Sequence, residues 1–292
     1  DEDRFQNYLW VSNQQAHSLM LDGVSPPQTS APDVNPHWDM IDAQLTTEIF
    51  GLYAPNNPDL ALEMAEAPIS ATARGGAAQA ARFYVVMFSL ASSPDIRAMD
   101  MKAKVMWIAN QARSYLPNDS YTSAMYDFVK ASYLKGKPWE QVRDQLYLKY
   151  QVNQEDGYDI TSRDLYCNGC FAAGINFAAS MVSLFYGEGD LQKTIKIGSL
   201  AGWDSDNPTA TWAGLIGFMM GKEQVEASFG KPLSEKFNIH RTRKGFPNDG
   251  IDTFSEMAEA GVGIIDNVVS RHLNGQVNSR DNKWVFEFRD QK

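Results

Sequence analysis

"FYGEGDLQKTIKIGSLAGWDSDNPTATWAGLIGFMMG" runs from Phe185 to Gly221, and the fold class turns on it. It begins at the end of a small, apolar stretch, "FAAGINFAASMVSLFYG" (Phe171 to Gly187), which predicts a central helix. "GEGD" is a turn in which Asp190 is expected to cap a helix over Leu191 to Leu200. Two carboxylates one residue apart follow, then a proline, then another small-residue apolar run. In an extended loop, side chains at i and i+2 point the same way. Asp204 and Asp206 are therefore expected to converge, with Trp203 and Ser205 on the opposite side. Asn207 is expected as the N-cap and Pro208 as the first helical residue of a helix closed by Gly221. Two carboxylates and a neutral amide oxygen are hard ligands, suited to Mg²⁺, Mn²⁺ or Ca²⁺. The same residues are also good capping chemistry, and spacing alone leaves both readings open. A calcium loop of the EF-hand kind fits poorly, because its glycine and distal glutamate are missing.

Outward from this motif, helix follows helix. Asp3–Gly23, His37–Ala54 and Asn57–Ala67 read as helices. Asn57 can cap the third of these, and Pro68 should end or kink it. "RGGAAQAARFYVVMFSLA" (Arg74 to Ala91) predicts a buried helix opening on a glycine pair. That pair could cradle a phosphate or allow close helix packing. Ser93–Pro117, Ser120–Gly136, Pro138–Gln151 and Gly250–Gly275 complete the series, and "KWVFEFRD" (Lys283 to Asp290) alternates like a short strand. No repeat is present, and strands are too few for a sheet-based fold. The expectation is an all-α protein, an orthogonal multi-helix bundle in which residues 1–292 form one domain.

Composition narrows function. The 292 residues are 43% hydrophobic and 21% charged, ordinary for a globular chain with a sizeable core. A net charge of −10 disfavours a nucleic-acid partner. No apolar run approaches the ~20 residues of a membrane span, so no membrane partner is expected. Nothing at Asp1 reads as a signal peptide, which leaves localisation open between secreted and cytoplasmic. Cys167 and Cys170 lack the further Cys or His pair a zinc site needs. They are expected to be free thiols or a tight disulfide. "NDS" at Asn118 is a glycosylation acceptor if the protein is secreted. Hydrolase elbows, zinc-protease helices, P-loops and dinucleotide fingerprints are absent.

The Phe185–Gly221 stretch resembles the ADP-ribosylglycohydrolase family, which ends one helix on Gly-Asp-Thr-Asp-Thr and starts a small-residue helix there. Here the counterpart is Trp203-Asp204-Ser205-Asp206-Asn207. "IDAQLTTEIFGLYAPNNPDLALEMAEAPISATARGGAAQAARFYVVMFSLA" (Ile41 to Ala91) resembles the family's middle section. The likeness extends to about Asn267 and looks closest to a divergent branch of the kind found in fungi. It implies an all-α fold with a dinuclear Mg²⁺ or Mn²⁺ site, in which Asp204, Asp206 and, by position, Asn207 are metal ligands. Two departures stand out. The family's N-terminal Thr-Asp-Asp-Thr cluster and catalytic glutamate have no match, since "DED" at Asp1 to Asp3 precedes what reads as a later family helix. The chain thus reads as lacking the family's N-terminal segment. The family's ADP-ribose-binding Asn-Gly-Ala-Ala-Met-Arg segment is replaced by "IDAQLTTE", and its Thr-His pair is replaced near Thr72 and Ala73.

Asp42, Gln44 and Glu48, spaced down one expected helix, are candidates for a replaced substrate-binding face, together with Trp203. A solvated or capping role is the competing reading of that face. What the resemblance implies is a metal-dependent hydrolase cleaving an N- or O-glycosidic bond to ADP-ribose or a related ligand. The partner would be an ADP-ribose-type small molecule or an ADP-ribosylated protein. The general base would come from a missing segment or from a residue such as Glu48. Two alternatives stand beside it: a non-catalytic binding or structural relative on the same fold, and one half of an enzyme completed by a separate N-terminal fragment.

Overall fold

The computed structural model of the protein describes residues 9–163, 167, 169–239, 246–281 and 283–287. Among them the helices run α1 (Val11–Leu21), α2 (Ile49–Tyr53), α3 (Pro58–Thr72), α4 (Gly75–Leu90), α5 (Met101–Arg113) and α6 (Tyr121–Leu134). Then come α7 (Trp139–Leu146), α8 (Ala173–Gly187), α9 (Leu191–Ala201), α10 (Asp206–Met220), α11 (Lys222–Phe229) and α12 (Phe254–His272). Two antiparallel ladders are small: β1 (Lys236–Asn238) with β2 (Ile251–Thr253), and β3 (Gln276–Asn278) with β4 (Lys283–Val285). The all-α expectation holds, and β4 is the expected short strand.

Local sequence explains five of the twelve helix starts among the described residues. The side chains of Asn57, Asp100, Ser120, Asp190 and Thr253 accept from the N–H groups of Leu60, Ala103, Ser123, Lys193 and Glu256. Each cap contributes about 1 kcal/mol. The centre is α8, which packs against α4, α6, α7, α9 and α10. Tyr84 of α4, Ser180 of α8 and Trp212 of α10 lock three of these together. The Tyr84 and Ser180 hydroxyls lie 2.7 Å apart, and Trp212 Nε1 donates to the Ser180 carbonyl at 2.8 Å. The Tyr84 and Trp212 rings meet edge-on at 5.1 Å. Burying an apolar side chain of this size contributes roughly 1.5–3 kcal/mol. Gly198 brings α9 against the start of α10, where a Cβ would lie 2.9 Å from Thr209 Oγ1.

Several expectations need correction. Residues 37–54 are not one helix. A 3₁₀ turn at Ile41–Ala43 leads through irregular turns to α2. Met40 bridges Ala172, Ile41 N–H donates to the Phe171 carbonyl, and Ala173 N–H donates to the Asp39 carbonyl. Tertiary partners therefore take backbone groups that a helix would need. Pro68 does not end α3. It sits on a half-exposed face, while Ile69 and Thr72 beyond it are buried and hold the last turn in place. The Ser93–Pro117 stretch breaks after a 3₁₀ turn at Pro94–Ile96 and restarts where Asp100 caps α5. A π turn over Tyr147–Val152 replaces the end of the expected Pro138–Gln151 helix. A Cβ on Gly76 would collide with the Tyr121 ring, so the glycine pair serves helix packing rather than phosphate. The acidic Asp1–Asp3 run lies outside the described residues. Cys167 and Cys170 form a disulfide.

Candidate functional site

The chain turns sharply between α9 and α10. Gly202 and Trp203 both take positive φ, 102° and 55°. Ser205 is already helical in φ and ψ, and Asp206 is the first residue of α10. The loop is thus not extended. Asp204 and Asp206 nevertheless converge, because the turn folds one back over the other and their carboxyl groups hydrogen-bond. Asn207 is not the cap but the second residue of the helix, with Pro208 behind it. A tryptophan in the left-handed region costs roughly 1–3 kcal/mol and persists only where its surroundings fix it. Two contacts do so. Trp203 Nε1 donates to Gln151 Oε1 at 2.7 Å, and the next residue, Asp204, donates its N–H to Asn176 Oδ1 at 3.0 Å.

Asp204 is half-buried and Asp206 exposed. Burial raises the Asp204 carboxyl first, and the hydrogen bond and charge of Asp206 add to it, bringing its pKa to about 7. Two carboxylates this close are reluctant to ionise together, so they share a proton or attract a cation.

Below this pair, the 44–48 turn meets the first two turns of α10. Gln44 Nε2 donates to Asn207 Oδ1 at 3.1 Å, and Thr211 Oγ1 donates to Glu48 Oε1 at 3.3 Å. Asn207 and Thr211 are four residues apart and share a helix face. Gln44 and Asn207 are each 1% exposed. Gln44 Oε1, Asn207 Nδ2 and Glu48 Oε2 are buried without a protein partner. Burial raises the Glu48 carboxyl above the usual range, against its hydrogen bonds to its own backbone and Thr211.

The other candidates lie apart from the pair. Asp42 is buried, and its Oδ1 accepts from the N–H of Asn13 at 2.9 Å, in the first turn of α1. It caps that helix from outside, the capping role left open by its sequence. Trp203 turns its indole N–H to the Tyr147–Val152 turn and lines a depression of about 470 Å³ with Tyr147, Leu148, Leu200 and Arg143. Gln44 and Glu48 do reach the motif helix, although not from one helix of their own.

Asp206 is exposed and Asp204 half-buried, so the carboxyl pair opens to solvent on one side. The Asn207 oxygen already accepts from Gln44, which draws it toward the buried seam. Among the described residues no group of three or more acidic, histidine or cysteine side chains stands together to hold a metal. Sequence reasoning missed Asn176 and Thr211. Thr211 could have been found as the i+4 neighbour of Asn207, and Asn176 as the one amide in the apolar run of α8.

The family model for ADP-ribosylglycohydrolase matches residues 5–260, and the chain belongs to that family. No curated protein and no solved structure matches it. No helix among the described residues is long and apolar enough to cross a membrane.

Proposed function

We propose that the protein is a metal-dependent glycohydrolase that cleaves an N- or O-glycosidic bond to ADP-ribose, with Asp204 and Asp206 as ligands of one Mg²⁺ or Mn²⁺ ion. The carrying observation is the hydrogen-bonded carboxyl pair, half-open to solvent, at the start of a helix anchored in the core. A bound ion would supply charge for orienting ribose hydroxyls and a water near the anomeric carbon. Deprotonation of Asp204 frees both carboxylates for that role. The Gln44–Asn207 contact fixes the helix end that carries Asp206. Glu48, with its carboxyl raised by burial and one oxygen unpartnered, is the candidate general acid or base of this reading. Water adds at the anomeric carbon, the leaving nitrogen or oxygen takes a proton, and ADP-ribose is released. In this reading residues 1–292 act as one domain. A second ion and further ligands would come from outside the described residues, in this chain or in a separate fragment.

The absence of a third acidic ligand among the described residues favours a second reading, a binding relative that holds ADP-ribose without hydrolysing it. The test is release of ADP-ribose from ADP-ribosylated arginine and serine peptides, with and without EDTA. EDTA-sensitive release lost in Asp206→Ala supports the hydrolase. Tight ADP-ribose binding with no release supports the relative. EDTA-resistant turnover would falsify the metal role.

A further inference from the structure

Asn176 lies in the first turn of α8 and is fully buried. Every hydrogen-bonding position of its amide but one lone pair is used. Nδ2 donates to the Cys170 carbonyl at 2.7 Å and to the Ala172 carbonyl at 2.9 Å. Oδ1 accepts the Asp204 N–H. That N–H lies between two helices and has no helical carbonyl to reach, so a side chain must satisfy it. Asn176 is therefore a clamp. One end grips the chain that ends the disulfide turn, and the other grips the residue that carries the raised carboxyl.

The disulfide end touches the rest of the site as well. Immediately beyond Cys170, the Phe171 carbonyl accepts from Ile41, and Ala173 donates to Asp39. These bonds fasten the strand-like start of the segment that delivers Gln44 and Glu48. Arg163, just before the turn, pairs with Asp39 and with Asp159. Residues 170–173 thus join both halves of the site, and the Cys167–Cys170 bond closes the turn from which they emerge.

We infer that Asn176 is a positioning residue for the Asp204–Asp206 pair and that the Cys167–Cys170 disulfide sets its position. The inference deepens the reading of that pair as the working site. The chemistry that releases the clamp is thiol–disulfide exchange with a dithiol. A thiolate of the dithiol attacks the sulfur of Cys167, the more exposed residue of the two, and Cys170 leaves as thiolate. The second thiol of the reagent then displaces Cys167. The protein disulfide gains two electrons and two protons, and the dithiol becomes a disulfide. Cys170 is then free to turn its carbonyl away from Asn176.

The test is amide hydrogen exchange on the full chain, oxidised and after reduction by dithiothreitol verified by mass. In the oxidised protein the Asp204 amide is expected to be protected although it lies outside any helix. Reduction is expected to speed its exchange about tenfold, the scale of losing one buried hydrogen bond, while the Val182 amide in the middle of α8 does not change. The Cys167→Ser/Cys170→Ser protein should behave like the reduced one. In Asn176→Asp, which keeps an acceptor for Asp204 but lacks the donors to Cys170, exchange at Asp204 should no longer respond to the reductant. Mn²⁺ titration of the same samples should show weaker binding after reduction. Unchanged Asp204 exchange after complete reduction overturns the inference. A parallel rise at Val182 overturns it too, since the disulfide would then be holding the helix rather than the clamp. If the oxidised protein takes up no Mn²⁺, the metal reading fails by itself, and the exchange result still decides the positioning role.

Discussion

Two edges of the same helix start behave differently. On the outer edge, Asp204 and Asp206 face each other beside solvent, and burial, reinforced by the neighbouring Asp206, raises Asp204 to about 7. On the inner edge, Asn207 and Thr211 meet Gln44 and Glu48 in a buried seam of neutral and raised-carboxyl groups. The outer edge holds unfavourable charge that a ligand could relieve. The inner edge holds polar contacts whose removal strands a buried partner. In the proposed reading, chemistry and stability are carried by residues one and five positions apart, and substitutions on the two edges should separate them.

The largest effect is expected outside. Asp206→Ala should weaken Mn²⁺ binding by at least about 100-fold, the upper end of losses measured for residues that merely support a ligand. Its melting temperature without metal should stay close to wild type, because the side chain is exposed. Calorimetric titration and thermal melts read the two quantities. A large loss of stability with metal binding intact would invert the comparison.

Inside, Gln44→Ala should cost about 1–3 kcal/mol by leaving the Asn207 amide buried and unsatisfied. Urea unfolding measures it. Mn²⁺ affinity should change far less than in Asp206→Ala. If the two variants lose metal to the same degree, Asn207 acts as a ligand and the seam belongs to the metal site.

A pH dependence sharpens the outer edge. The Asp204 carboxyl titrates near 7 in the folded protein and near 3.9 when unfolded. Between those values the folded state holds the extra proton. The stabilising contribution is complete below about pH 4 and is lost as pH rises through 7. Asp204→Asn removes this dependence, so its melting temperature should gain on wild type from pH 4 to pH 8. Mn²⁺ should raise the wild-type melting temperature more at pH 8 than at pH 5. A constant difference between the two proteins across that range would show that Asp204 ionises normally.

The smallest effect is expected at Asp42. Asp42→Asn keeps an acceptor for the Asn13 N–H and removes the charge facing the start of α1. Stability should shift by no more than about 1 kcal/mol, with Mn²⁺ binding unchanged. A clear loss of Mn²⁺ affinity would return Asp42 to the site.

Much of this was written in local chemistry. Capping residues at Asn57 and Asp190, the glycine turn at "GEGD" and the apolar run of α8 define helices whose neighbours hardly alter them. Asp204 and Asp206 were readable as a pair for a similar reason: two residues one apart at a helix junction have few ways to avoid each other. The details of that junction were not readable. The positive φ of Trp203 rests on Gln151, 52 positions away, and the turn at Asp204 rests on Asn176.

The sequence by itself determined the helical class, the carboxylate pair and the family. Each of these rests on short-range propensities, periodicity or a contiguous motif. Tertiary structure alone decided that residues 37–54 would abandon helix, because backbone groups at 39–41 find partners at 171–173. It also decided that Asn207 would face Gln44 rather than cap its helix, and that Asp42 would serve α1. These outcomes depend on which buried polar groups meet across 29 to 163 residues of chain. A buried donor or acceptor takes whatever partner the packing brings, and no local pattern records which one that will be.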